Sequence, residues 1–425
     1  MFKKTDPNPQ LDMFTAPSML LGNRASKKYS DPSAWHNQFY SLVTTKIDEE
    51  IFRPLFPEGK KSGRPNASIR ILVAMSVLKE GFGCSDEDLF EKCEFDLLTR
   101  KGLGLELLTD VTPSIDTYYL FRRRICEYQE RTGIDLMQLC FEQIAGSQIR
   151  LLKISGKSVR MDSKLIGSNI ARQSRYELIH TTLVRFLKTC ALTKLSPEQQ
   201  ERAKAYLKED SLKTVYRSDS ESLQSNLAII GNFIMDMLVA FPETSPEHNL
   251  LQRLFDEQYV VKDGKAVLRD KKEVKANSLQ NPNDPDATYR SKNDQKVQGY
   301  VTNITETVEE GKPSIITSVQ VETAVFADCH FLQEAVENSE RVTNSTIEDL
   351  YADGAYQSPD NREFAKNHNA MQLKTGKMQG GRRWELIPHD KDGLTVREVA
   401  TGNTYEAIKA VTKQGSRKRW RIPWN

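Results

Sequence analysis

The chain has little that would cross-link it covalently or anchor it. Its six cysteines (Cys84, Cys93, Cys126, Cys140, Cys190 and Cys329) form no CxxC pair, which argues against a zinc site or a disulfide framework and for reduced thiols. The six histidines, His36, His180, His248, His330, His368 and His389, show no ligand spacing. No apolar run approaches the length of a membrane span, and the opening Met1-Phe-Lys-Lys-Thr-Asp-Pro7 lacks the apolar stretch of a signal peptide. The expectation is a cytoplasmic protein without membrane contact. Lysine and arginine (60) barely outnumber aspartate and glutamate (58), so a net charge of +2 does not by itself mark a nucleic-acid binder. The balance is uneven, however: residues 371–425 hold twelve basic against five acidic side chains, a local +7.

What is present is an ordered alternation of helical and β textures over 425 residues, enough for two or three domains. Residues 1–34, rich in Pro, Asn and Ser, read as a flexible arm. Residues 35–150 read as an all-helical domain for DNA binding or dimerisation. Ile71, Met75 and Leu78 recur at helical spacing, Ser85 with Asp88 resembles a capping box, and Tyr118, Phe121 and Ile125 stripe a helix crowded by Arg122, Arg123 and Arg124. Residues 151–375 read as a mixed sheet with helices packed on it, interrupted by a helical insertion over about 171–280. There Ile179, Leu183, Phe186 and Leu187 mark one helix face, and Leu223, Leu227, Ile230, Ile234 and Met237 another. The period then switches to two in a hairpin over Gly299–Val308 and Ile315–Val321. A helix from about Asp328, with that Asp as its cap, leads to a further strand, and Ser358-Pro359 opens the next helix. Residues 376–425 read as a small β-rich, basic segment.

Two aspartates carry the chemistry. Asp162 closes the apolar run from Ser158, and Asp353 closes the run from Leu350. A carboxylate at the end of a strand is rigidly aimed, and two side by side suit Mg²⁺ (or Mn²⁺), which prefers oxygen ligands and keeps several waters. Taken singly, such an Asp is more often a turn or cap residue; the pair is the stronger signal. The two lie 191 residues apart, and a helical insertion between adjacent strands absorbs that distance. For phosphate contact the candidates are Lys60, Lys61, Arg64, Arg122, Arg123, Arg382, Arg383, Arg417, Lys418 and Arg419, with Trp420 and Trp424 interleaved at the basic end. The runs at Lys60–Arg64 and Arg122–Arg124 are equally solvated charged faces, whereas at the basic end the interleaved tryptophans put DNA contact ahead of a solvated tail.

The ordered segments Asp284-Pro-Asp-Ala-Thr-Tyr-Arg290, Gly299-Tyr300, Glu322-Thr-Ala324 and Tyr351-Ala-Asp-Gly-Ala-Tyr-Gln-Ser358 resemble bacterial insertion-sequence transposases of the DDE class. Gly63-Arg-Pro65 and the helices after it are similar to the N-terminal domain of that group, so the resemblance spans roughly 35–400. It implies an α/β, ribonuclease-H-like catalytic core, with Asp162 and Asp353 as the first and second acidic positions. It also implies double-stranded DNA at the transposon ends and target as partner, a homodimer on that DNA, and a nucleoid-associated location. A third carboxylate is expected as a Glu on a helix after the β insertion; Glu385, Glu398 and Glu406 all fall in β-like segments, so the chain reads as C-terminally short. The alternative is a catalytically defective protein that only binds DNA or inhibits a full-length enzyme.

Overall fold

The computed structural model describes residues 2–4, 16–56, 65–242, 244–292, 295–375, 384–389, 393–398, 401–410 and 419–421. Four of its N-terminal helices, Ile69–Phe82, Asp86–Phe95, Ile115–Thr132 and Leu136–Leu152, close a core around Phe52, Met75, Leu89, Tyr118, Phe121 and Cys140. Their ends follow local chemistry. Ser85 and Asp88 form a reciprocal capping box, Ser114 caps the 115–132 helix, and Gly83, Gly104 and Gly133 end three helices in the left-handed region. Arg100 is buried, yet its guanidinium donates to the carbonyls of Cys93, Leu107 and Asp110 at 2.7–3.0 Å, so its charge faces carbonyl dipoles rather than a carboxylate.

Strand β1 (Ser158–Gly167) starts a six-stranded sheet. A helical block of residues 175–258 follows, packed around Ile179, Leu183, Phe186, Ile230, Phe233, Ile234, Leu251 and Leu254. One of its helices, Ser220–Ala240, is long and apolar enough by composition to cross a membrane; Leu227, Ile230, Phe233, Ile234 and Met237 point into the helical core. The block ends in a hairpin absent from the sequence reading, β2 (Tyr259–Lys262) and β3 (Lys265–Leu268), turned by Asp263 and Gly264 at φ +50° and +72°. The main sheet resumes with β4 (Thr288–Lys292), β5 (Gln295–Thr307) and β6 (Ile316–Thr323), then β7 (Asp349–Ala352) and β8 (Gln372–Thr375). Its order is β6-β5-β1-β7-β8, with β4 pairing the first residues of β5. The β6-β5-β1 ladders are antiparallel, and β7 and β8 run parallel to β1.

One face of this sheet is covered. Val159, Met161 and Leu350 pack there against Leu332, Ala335 and Val336 of the helix Leu332–Thr343 and against Ala365 of the helix Pro359–Asn367. On the other face Ile304, Val319, Val321 and Tyr351 are exposed. A second, four-stranded antiparallel sheet, β9 (Trp384–His389), β10 (Gly393–Glu398), β11 (Thr404–Ala410) and β12 (Arg419–Arg421), follows in the order β12-β11-β10-β9. The fold is thus α/β with a mixed sheet.

The N-terminal helices dock on the sheet unit through helix 136–152, where Ala145 and Ile149 meet Val342. Beside them Glu142, 9% exposed, accepts two bonds from the Arg341 guanidinium at 2.9 and 2.6 Å and one from Gln138 at 3.0 Å. Burial pushes the Glu142 carboxyl up, but the Arg341 and Gln138 bonds outweigh it and hold the group below the ordinary glutamate value. The folded state therefore binds this proton more weakly than the unfolded one. Its stabilising contribution is complete above the unfolded pKa of about 4.3 and is lost as pH falls through the lower folded value. Thermal melts across acid pH should show Arg341→Met trailing the unmutated protein most at neutral pH, with the gap narrowing below about pH 4. A gap independent of pH would dismiss the ion pair as its source.

Candidate active site

Alternation along β1 decides which side chains share a face. Val159 and Met161 are buried beneath the helices, whereas Arg160, Asp162 and Lys164 are exposed on the opposite side. On β7 the same alternation buries Leu350 and exposes Tyr351 and, one residue past the strand, Asp353. The parallel register pairs Ser158 with Asp349, Val159 with Leu350 and Arg160 with Tyr351. The ladder ends there; continued two residues on, the same spacing would bring Asp162 level with Asp353, which follows β7 on the exposed side.

Each carboxylate is fixed by one backbone bond: Ser163 N–H donates to Asp162 Oδ1 at 2.9 Å, and Ala355 N–H donates to Asp353 Oδ1 at 2.8 Å. Two of the nearby cations are engaged elsewhere: Arg160 bonds Glu306 at 2.5 Å, and Lys374 bonds Asp349 at 2.8 Å while lying over the Tyr351 ring. Among the described residues neither Asp162 nor Asp353 has an ion-pair partner. Two carboxylates side by side without a counter-ion would repel each other, and a divalent cation between them would reverse that sign. The all-oxygen donor pair fits Mg²⁺ or Mn²⁺ with water completing the shell. Among the described residues no cluster of three or more His, Cys, Asp or Glu side chains has metal-binding geometry.

Beneath the pair runs a buried polar chain from four segments. Tyr356 donates to Asn303 Oδ1 at 2.6 Å, Asn303 to Gln320 Oε1 at 2.9 Å, and Gln320 to Glu334 Oε2 at 3.0 Å. Burial raises the Tyr356 phenol above its ordinary value, and the carboxylates of Asp328, Asp162 and Asp353 push the same way while Ser163 opposes them. Tyr356→Phe should cost about 1–3 kcal/mol, because it leaves Asn303 Oδ1 unpaired in a fully buried position. Urea denaturation measures it, and a loss under about 0.5 kcal/mol would mean that the chain does not restrain the segment.

Other expectations fall differently. Asp328 does not cap the following helix through its side chain; it is buried and accepts from Arg290 at 3.4 Å. Asp284 does more than shape a turn: it accepts from Ser168 Oγ at 2.5 Å and from the Tyr300 hydroxyl, tying the end of β1 to β5. Burial, and then that Asp284 bond, raises the Tyr300 pKa. Glu385, Glu398 and Glu406 lie in the second sheet, with Arg397, Thr401 and Thr395 as respective partners. Arg122 is half exposed, 4.0 Å from Asp86 and over the Tyr118 ring, and Arg123 pairs with Glu127 at 3.6 Å. Arg419 is in β12 opposite Ala410, whereas Lys60, Lys61, Arg64, Arg382, Arg383, Arg417 and Lys418 lie outside the described residues. Sequence reasoning passed over Lys164 and the polar chain. Period-two alternation from Asp162 would have flagged Lys164; the polar chain leaves no local pattern.

No curated protein and no solved structure matches this chain. Residues 29–124, less than a quarter of the chain, match a family described as a transposase domain (DUF772), and that match supports a transposase family.

Proposed function

We propose that the chain is a DNA transposase, and that Asp162 and Asp353 hold Mg²⁺ or Mn²⁺ for phosphodiester cleavage and strand transfer at insertion-sequence ends. The observation that carries this reading is the parallel β1–β7 register, whose continuation points two exposed carboxylates without ion-pair partners toward the same face. Two further findings support it. The order β6-β5-β1-β7-β8, with antiparallel β6–β5 and β5–β1 ladders and parallel β1–β7 and β7–β8 ladders, agrees with a ribonuclease-H-like core, and the transposase-domain match covers most of the helices that precede it.

Bound divalent metal supplies an activated water or 3′-hydroxyl and stabilises the leaving oxygen. The chain's own residues do the positioning. Backbone bonds from Ser163 and Ala355 orient the two carboxylates, and Tyr356 packs the segment after Asp353 against β5. The N-terminal helices, with Arg122 and Arg123, and the basic residues Lys60, Lys61, Arg64, Arg382, Arg383, Arg417, Lys418 and Arg419 contact the phosphates of double-stranded DNA. An element has two ends, so a homodimer on nucleoid DNA in the cytoplasm is the working assembly.

A second reading, a DNA-binding protein without chemistry, is favoured by one observation: Glu385, Glu398 and Glu406 are bonded within the second sheet rather than beside the aspartates. Metal-dependent cleavage of end-containing DNA separates the two. If the unmutated chain cuts no better than Asp162→Ala/Asp353→Ala while still binding the ends, the catalytic reading falls and the second one stands.

A further inference from the structure

We propose that Lys164 is a phosphate-binding residue, taking the phosphodiester next to the one presented to Asp162 and Asp353; this rests on the catalytic reading for what the neighbouring phosphate does. Alternation along β1 puts Arg160, Asp162 and Lys164 on one face, with Arg160 and Lys164 each roughly 7 Å along the strand from Asp162. The two cations differ in availability. Arg160 is tied to Glu306 at 2.5 Å, whereas Lys164 is exposed and, among the described residues, has no anionic partner. Opposite it on β5 stands Thr302, whose hydroxyl is spent on the Gln320 carbonyl at 3.1 Å. Lys164 thus offers a flexible ammonium beyond Asp162, toward the carboxyl end of β1 on its exposed face.

The placement also has an electrostatic reason. Two aspartates repel a polyanion until metal arrives, and a free cation one step along the strand offsets that repulsion at the adjacent phosphate. Successive phosphates along one DNA strand are separated by about the same 7 Å, so one backbone can address both positions.

The test uses the full chain, a labelled DNA duplex and the variants Lys164→Ala, Lys164→Gln and Lys164→Arg. Removing the charge should flatten the dependence of log affinity on log salt by about one ion and lower kcat/KM for cleavage about tenfold or more, with Arg restoring most of both. Mn²⁺ affinity, followed by the spin-resonance signal of free Mn²⁺, should be unchanged in all three. An unaltered salt slope in Lys164→Ala and Lys164→Gln overturns the inference and leaves the catalytic reading intact. A Lys164-dependent slope in a chain that does not cut overturns the catalytic reading instead.

Discussion

Asp162→Asn or Asp353→Asn should reduce Mg²⁺-dependent DNA cleavage by about three orders of magnitude or more, without loss of fold. Asn is the informative replacement because each native carboxylate accepts a single backbone bond, from Ser163 N–H or Ala355 N–H, and an amide oxygen accepts the same bond. What disappears is the charge. The pair has no ion-pair partner among the described residues, so neutralising one member relieves repulsion and should leave the metal-free melting temperature unchanged or slightly higher. Opposite signs for stability and activity are the signature of a ligand pair, since a structural carboxylate would lose both. The double variant should cut no more slowly than either single one, because the two act as a unit. Single-turnover cleavage beside thermal melts reads both quantities; a drop of less than about tenfold in either single variant would remove that residue from the chemistry.

Much of this site is legible in the sequence because period-two texture is a local signal, but Asp162 stands mid-strand, since β1 runs on to Gly167 in its ladder with β5, and only Asp353 follows the end of its strand. Ser158 to Asp162 and Leu350 to Asp353 announced their strands, Ser85 with Asp88 announced a helix start, and Ser358-Pro359 another. Register was not legible. Nothing within either run says that Arg160 faces Tyr351 across a gap filled by the helical block, yet that pairing alone decides whether the carboxylates meet. The β2–β3 hairpin has a local signal in Asp263-Gly264, but its two flanking runs are four residues each, and their apolar residues, Tyr259-Val-Val261 and Ala266-Val-Leu268, are contiguous and show no alternation. Asp328 was misjudged for a related reason: at a helix start a capping Asp and an Asp facing an arginine look alike in sequence, and only the fold brings Arg290 within 3.4 Å. The chain Tyr356–Asn303–Gln320–Glu334 draws on four segments and has no local signature at all.

Gly299→Ala should be the most damaging single methyl in the sheet, costing about 4 kcal/mol or more and carrying activity down with it. Gly299 has φ +155°, a backbone conformation that L side chains rarely adopt, and pairs with Gly167 at the end of β1. A Cβ there would press on the Ile166 carbonyl oxygen and lie 2.6 Å from Ser168 N and 3.0 Å from Gly167 C. All three are backbone atoms of the neighbouring strand, so no rotamer can yield; the β1–β5 ladder itself must part. Parting it would also strain the Asp284 bridge, whose donors Ser168 and Tyr300 adjoin the two glycines, and would disturb the strand that carries Asp162. Gly311→Ala is the control: φ is +74° there, but nothing lies within 4 Å of the new methyl, so only the conformational penalty of about 1–2 kcal/mol applies. Urea midpoints for the two variants separate clash from torsion. Equal losses would mean that strands β1 and β5 are not as close at Gly167 as their register requires, and the placement of Asp162 would fall with it.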